Sequence, residues 1–293
     1  MNIDYISDLH IDFWCPKTNP TNKKFKSQIM EYIKKLNPKT DELLIIAGDL
    51  GHFFEQDKEF LLQLKMYYNN ICIVAGNHDL YLVSNSIKNR YKQNSLNRIE
   101  EMKQFCSNTE GFYYLDGDVV TINNIKIGGV GMWHDFSYAI NKLDFSKEEI
   151  LRHWKNIMND SNLIFLNQED SKQSEYYHHH KVDSFNTEEY FQKEYNKLEQ
   201  ISSCDIMISH YGPKIPYDLN DEFKASITTT FYYFDGLKDI KRINPKYWIY
   251  GHTHRLVNEI YENTNLLCNP RGYPEDKMTS SIQTLNMSLV IDR

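Results

Sequence analysis

Two patterns of apolar positions alternate over the first third of the chain. After a short opening strand, "NIDYIS", come two unbroken apolar runs, "ELLIIAGD" ending at Asp49 and "ICIVAGNHD" ending at Asp79. Such runs are the mark of strands buried on both faces. Between them, Lys24 to Leu36 places Ile29, Ile33 and Leu36 on one helical face, and "FLLQLKMYY" reads as a second helix. Strand, helix and strand in this order predict βαβ units and a parallel sheet.

The pattern changes after a polar helical stretch from Ser84 to Phe105. "DVVTINNIKIGGVG" reads as two strands joined at Asn123-Asn124, residues that tolerate the positive φ of a tight hairpin. The segment from about 138 to 185 is rich in Asn, Lys, Glu and aromatics and contains the run His178-His179-His180. It reads as a helical insertion or cap within a single domain spanning 1–293, and it is expected to tune substrate choice rather than the chemical step. "NTEEYFQKEYNKLEQI" is a helix with Asn186 or Thr187 near its cap. "CDIMISH" and "KYWIYGHTH" are further buried strands, and "LNMSLVID" is a last one.

Composition narrows the setting. A net charge of −7 and a pI near 5.9 argue against a general binder of polyanions, so nucleic acid is not the expected partner. No apolar run approaches the length of a membrane span, and the first residues lack a charged and then hydrophobic leader. The five cysteines are scattered, without metal-type pairs or a disulfide framework. That usage points to a reduced, cytoplasmic protein.

The chemistry collects at strand ends. The apolar runs give way to Asp8-Leu9-His10, Gly48-Asp49, Gly76-Asn77-His78-Asp79, His210 and Gly251-His252-Thr253-His254. Residues just past the carboxyl ends of strands share one edge of an α/β sheet, where such folds build sites. A lone strand-end Asp or His is usually a cap or turn residue, but that explanation would have to hold at five junctions together. Carboxylate, amide oxygen and imidazole without thiolate suit Mn, Fe, Zn, Co or Ni. The ligands are too many for one ion. They serve two if one carboxylate bridges, and two ions about 3.5–4 Å apart form the arrangement that hydrolyses phosphate esters.

These motifs, in this order, resemble the calcineurin-like metallophosphoesterases, whose pattern is Asp-x-His, Gly-Asp, Gly-Asn-His-Asp/Glu, a lone His and Gly-His-x-His. The resemblance spans nearly the whole chain. It implies a four-layer αββα sandwich of two mixed sheets. It implies metal-dependent hydrolysis of a phosphate mono- or diester by in-line attack of a metal-bridging hydroxide, with two divalent ions, manganese first among them. Carried over motif by motif, Asp8, His10, Asp49 and His254 would hold one ion, and Asp49, Asn77, His210 and His252 the other. His78 would be the proton donor and Asp79 its orienting partner. A narrower likeness, in "GMWHDF", "SHYGP", "WIYGHTH" and "CNPRGYP", is to bacterial and phage phosphoesterases of uncertain substrate. His134 departs from that subgroup, which carries a small or hydroxyl residue there.

Other residues keep two readings. His134, beside Trp133 and Asp135, is either pocket wall or core packing. Arg271 either grips a substrate phosphate with its fork or pins a proline turn by pairing with an Asp. His52 reads as a supporting or surface histidine. A small-molecule or cyclic-nucleotide phosphodiester is the first expected substrate. A protein phosphatase, a nucleotide pyrophosphohydrolase or a nuclease is the alternative, and a non-catalytic scaffold would lack some of these ligands.

Overall fold

"LLII" has no polar position, and the fold uses every residue of it. Leu43 and Ile45 pack into a core between two sheets, while Leu44 and Ile46 pack outward among helices. The neighbouring strand alternates the same way, with Cys72 and Val74 inward and Ile71 and Ile73 outward. A strand covered on both faces needs this continuous apolar run.

The structure is a computed structural model that describes residues 1–15, 23–40, 42–166, 185–276 and 279–287. Its strands are β1 (Asn2–Ile6), β2 (Leu43–Ile46), β3 (Asn70–Ile73), β4 (Phe112–Tyr114), β5 (Asp118–Ile122), β6 (Ile125–Gly129), β7 (Ile206–Ile208), β8 (Tyr247–Tyr250), β9 (Val257–Tyr261), β10 (Thr264–Cys268) and β11 (Gln283–Asn286). The first sheet runs β11-β1-β2-β3-β4, with β11 antiparallel at its edge. The second runs β5-β6-β7-β8-β10-β9, with parallel pairing from β6 to β10 and antiparallel strands at both edges. Ile3, Leu43 and Ile45 of one sheet meet Ile127, Ile206, Ile208 and Ile249 of the other in the inner core. Helices Lys23–Leu36, Phe54–Leu64 and Ser95–Ser107 cover the outer face of the first sheet. Ser137–Leu143, Lys147–Ile157, Thr187–Gln200 and Leu237–Ile243 cover the second. The four-layer sandwich of two mixed sheets is therefore present.

Local signals held where they were strong. Helix Lys23–Leu36 begins one residue before the expected start, and Asn186 caps Thr187–Gln200 by accepting from the Glu188 and Glu189 N–H groups. The hairpin turns at Asn123 and Asn124, with φ 49° and 64°. Strands β4, β9 and β10 and helix Leu237–Ile243 escaped the pattern. They run only three to seven residues, too short for a period to register, and in β9, on a sheet edge, only Val257 is buried. Between 138 and 166 the chain is helical, and Ala139, Ile150, Trp154 and Ile164 join the outer core of the second sheet. Residues 167–184, with the histidine run, lie outside the described residues, as do most of the residues beyond Asn286 assigned to the last strand. Among the described residues no helix is long and apolar enough to cross a membrane.

Candidate metal centre

Ile6, Ile46 and Ile73 end β1, β2 and β3 in register, so the residues that follow emerge at one edge of the first sheet. Ile208 and Ile249 pair likewise in the second. The Asp8 carboxylate spans the two sheets, accepting the His252 N–H at 2.8 Å. Asp8 N–H to Gly48 O and His10 N–H to Asp49 O, each 3.1 Å, hold the first two loops side by side. Asp8, His10, Asp49, His252 and His254 all adopt left-handed backbone, with φ of 52°, 42°, 58°, 68° and 47°. Non-glycine residues pay for that conformation, and such strain collects at functional sites. Gly76 is required by close approach: a Cβ there would stand 2.1 Å from Asp49 Oδ1.

The ligand candidates converge. Donor atoms of Asp8, His10 and His254 lie within 4.8 Å of one another, and so do those of Asp49, His210 and His252. Asp49 faces both groups, with Oδ2 3.7 Å from His10 Nε2 and Oδ1 3.4 Å from His210 Nε2. Asn77 Oδ1 is 3.1 Å from His210 Nε2. His10 and His254 point their Nε2 atoms at each other 3.0 Å apart, a donor set that a cation would reconcile.

The outer ring nitrogens support that reading. His210 Nδ1 is 2.8 Å from Ala47 O, His254 Nδ1 is 2.9 Å from Asp276 Oδ2, and His252 Nε2 is 3.2 Å from Phe231 O. An imidazole that gives its proton to a carbonyl or carboxylate offers the other nitrogen to a metal. His10 Nδ1 is buried without a partner. These residues fit divalent ions by donor type and by the tautomers their neighbours impose. The charges are strongly coupled. Burial disfavours charge on His210, yet the Asp49 carboxylate overrides it and lifts the group to about 9. Burial takes His10 down to about 4 against the pull of Asp49 and Asp8, and pushes His252 well below the usual histidine range.

His78 sits beside this group, but its support differs from the expected one. Its Nδ1 is 2.9 Å from His52 Nε2, and His52 Nδ1 is 2.8 Å from Asp12 Oδ2. The Tyr273 hydroxyl is 3.0 Å from His78 Nε2. Asp79 is instead spent on backbone: it accepts from the N–H groups of Asp49, Leu50 and Gly76 at 3.0, 3.1 and 2.7 Å. Successive side chains on a 3₁₀ turn diverge by about 120°, and on the turn His78–Leu80 this sends the imidazole toward His52 and the carboxylate into the loops. Asp79 therefore braces the Asp49 loop, and the neighbour that meets the His78 ring is His52 rather than Asp79. Burial pushes the His78 ring well below its usual range against the Asp49 charge, and raises the Asp79 carboxyl. Burial also works against the Asp12 charge, but the bond from His52 outweighs it and holds that carboxyl below its usual value.

A cavity of about 290 Å³ opens onto Asp49, Asn77, His78, His252 and His254, with Tyr81, Tyr232, Tyr273, Ile157 and Met158 among its walls. Neither His134 nor Arg271 lines it. His134 is 1% exposed and packed against Trp133, Phe136 and Phe231, a place that favours the core-packing reading. Arg271 donates to Ser280 O at 2.9 Å and lies 4.1 Å over the Trp14 ring, so it pins the turn through a carbonyl and an indole, and among the described residues no Asp pairs with it. Sequence reasoning missed Arg98, which is buried and clamps Asp57 (3.0 Å) and the His78 carbonyl (3.0 Å) together. It also missed Asp276 and Asp160. None of the three stands at a strand end, so no local signal marked them.

The profile of calcineurin-like phosphoesterases matches residues 1–256. The uncharacterized protein L509 of Acanthamoeba polyphaga mimivirus is 22% identical over 286 residues, covering 93% of this chain and 91% of its own. The crystal structure of the phosphopantetheinyl hydrolase PptH from Mycobacterium tuberculosis superposes with a TM-score of 0.61 at 16% identity, over 97% of this chain and 95% of that one. The ordered motifs, the two-sheet sandwich and a profile match across most of the chain agree, and the protein belongs to the calcineurin-like phosphoesterase family of metal-dependent phosphoester hydrolases.

Proposed function

We propose that this chain is a dinuclear phosphodiesterase that cleaves a small-molecule phosphodiester with an alkyl leaving group. The observation that carries the reading is Asp49, whose two carboxylate oxygens face separate ligand groups, His10 on one side and His210 on the other. Asp8, His10 and His254 would complete one site, and Asn77, His210 and His252 the other. Divalent ions held there, manganese first among them, would supply Lewis acidity and a nucleophile drawn from water at neutral pH.

The chain's own groups do the rest. His78 is placed on the cavity wall to hand a proton to the departing oxygen. Asp12 and His52 hold the ring from behind, and Tyr273 meets it from the other side. Tyr81, Tyr232 and Met158 form part of the cavity wall. Burial lowers the proton affinity of His78, and an anionic ester beside the ring would favour uptake of a proton from water, which the ring then passes to the departing oxygen. An alkoxide must be protonated as it leaves, so this apparatus suits alkyl diesters better than aryl ones. The fold neighbour named as a phosphopantetheinyl hydrolase makes phosphopantetheinyl compounds the first to assay. A cytoplasmic setting is part of the proposal, and the five free, buried cysteines support it.

The test pairs metal analysis with activity profiling. Protein reloaded with manganese should hold two ions and hydrolyse alkyl diesters ahead of monoesters. Asp49→Ala should lose both ions. Two tightly held ions and full activity in that variant would overturn the bridging assignment.

A further inference from the structure

Asn77 can meet a cation only through its amide oxygen; the amide nitrogen only donates. Something must turn it the right way. Asn77 Nδ2 lies 2.8 Å from Asp160 Oδ1 and 3.0 Å from the Tyr81 hydroxyl, and that hydroxyl donates to the same Asp160 oxygen at 2.6 Å. The amide oxygen is left facing His210 Nε2 at 3.1 Å. Asp160 comes from 83 residues along the chain, in the short helix Asp160–Leu163 of the segment between β6 and β7.

We propose that Asp160 is a positioning residue for the metal centre, holding the Asn77 amide so that its oxygen points at the site shared with His210 and His252. Asp160 is 0% exposed, its Oδ2 is buried without a partner, and among the described residues no cation pairs with it. A carboxyl buried away from water is costly to the fold, and two bonds to one of its oxygens offset little of that for folding alone. Nor is the side chain needed to dock the segment, because Leu82 N–H to Leu163 O (2.8 Å) and Ser95 N–H to Phe165 O (2.6 Å) already do so through backbone. Groups that orient metal ligands typically govern affinity by about 10–100-fold. On this proposal the helical segment reaches the metal centre as well as the cavity wall, a role beside its expected one in substrate choice.

The inference rests on the reading of Asn77 as a ligand, and the experiment separates the two. Manganese binding is measured by equilibrium dialysis and elemental analysis on the full chain, with circular dichroism to establish folding. Asp160→Leu removes the acceptor at similar size and should weaken one of the two ions by about 10–100-fold while the other is retained. Asp160→Asn keeps an acceptor oxygen and should rescue most of that affinity. Should the leucine variant fail to fold, Asp160→Ala removes the acceptor without added bulk and carries the same expectation, and Asp160→Ala takes the place of the leucine variant in every comparison. In an Asn77→Ala background, Asp160→Leu should add nothing, because the amide it steers is gone. Unchanged affinity in folded Asp160→Leu or Asp160→Ala, or an equal loss with and without Asn77, would overturn the proposal. Asn77→Ala retaining both ions at full affinity would instead show that the ligand reading is wrong, and this inference with it.

Discussion

At the scale of single residues, the decisive pair is His78 and Asp79, adjacent in sequence and opposite in duty. The imidazole is bracketed by His52 and Tyr273, whereas the carboxylate gathers three backbone N–H groups. General acid catalysis contributes about 10²–10⁴-fold, and a good leaving group needs less of it. His78→Ala should lose most of that factor on alkyl phosphate esters and far less on p-nitrophenyl esters, with metal content unchanged. His52→Ala should show the same preference at smaller size, because it leaves the acid in place but unbraced. The check is kcat/KM for both ester types on each variant. Equal losses on the two would mean that these rings hold the substrate and do not protonate it.

At the scale of elements, the site depends on loops that follow strands and on the bonds between those loops. Asp79 ties the turn after β3 to the loop after β2, and Arg98 on helix Ser95–Ser107 reaches the carbonyls of Gly51 and His78 from the outside. Asp79→Ala would leave three buried N–H groups without acceptors, at about 1–3 kcal/mol each before relaxation. This variant should therefore melt several degrees lower and lose metal along with activity, because the loop it frees carries Asp49. His78→Ala should do neither. Thermal denaturation and elemental analysis of the two variants side by side would discriminate them, and a metal-replete, fully stable Asp79→Ala protein would refute the bracing role.

At the scale of the whole molecule, the centre joins the two halves of the sandwich. Asp8, Asp49 and Asn77 follow strands of the first sheet, while His210, His252 and His254 follow strands of the second. Ions bound between them would act as a cross-link that exists only in the folded state. A ligand present at about 100 times its Kd adds about 2.7 kcal/mol to stability. Removing metal with a chelator should lower Tm, and returning manganese should restore it in proportion to the logarithm of its concentration. The Asp49→Ala protein should show almost none of this response. A melting temperature indifferent to chelator in the parent protein would mean that the ligands do not span the sheets through an ion.

The sequence by itself determined the buried strands that carry the site, their shared edge and the chemical types gathered there. An apolar run reports burial on both faces, and the polar residue that ends it must emerge at the sheet edge; these are local consequences of side-chain period and desolvation. Caps and hairpin residues such as Asn186 and Asn123-Asn124 were legible for the same reason, since their bonds close within a few positions. Tertiary structure alone decided which neighbour each polar group meets. The rotation of one 3₁₀ turn gave His78 to His52 and Asp79 to the backbone, and no spacing rule encodes that choice. Packing placed His134 among aromatic rings and Arg271 over Trp14, away from the cavity. A contact across 83 residues delivered Asp160 to Asn77. Local patterns carry the cost of burying each group, whereas the partner that offsets the cost is chosen by where the folded chain brings distant segments together.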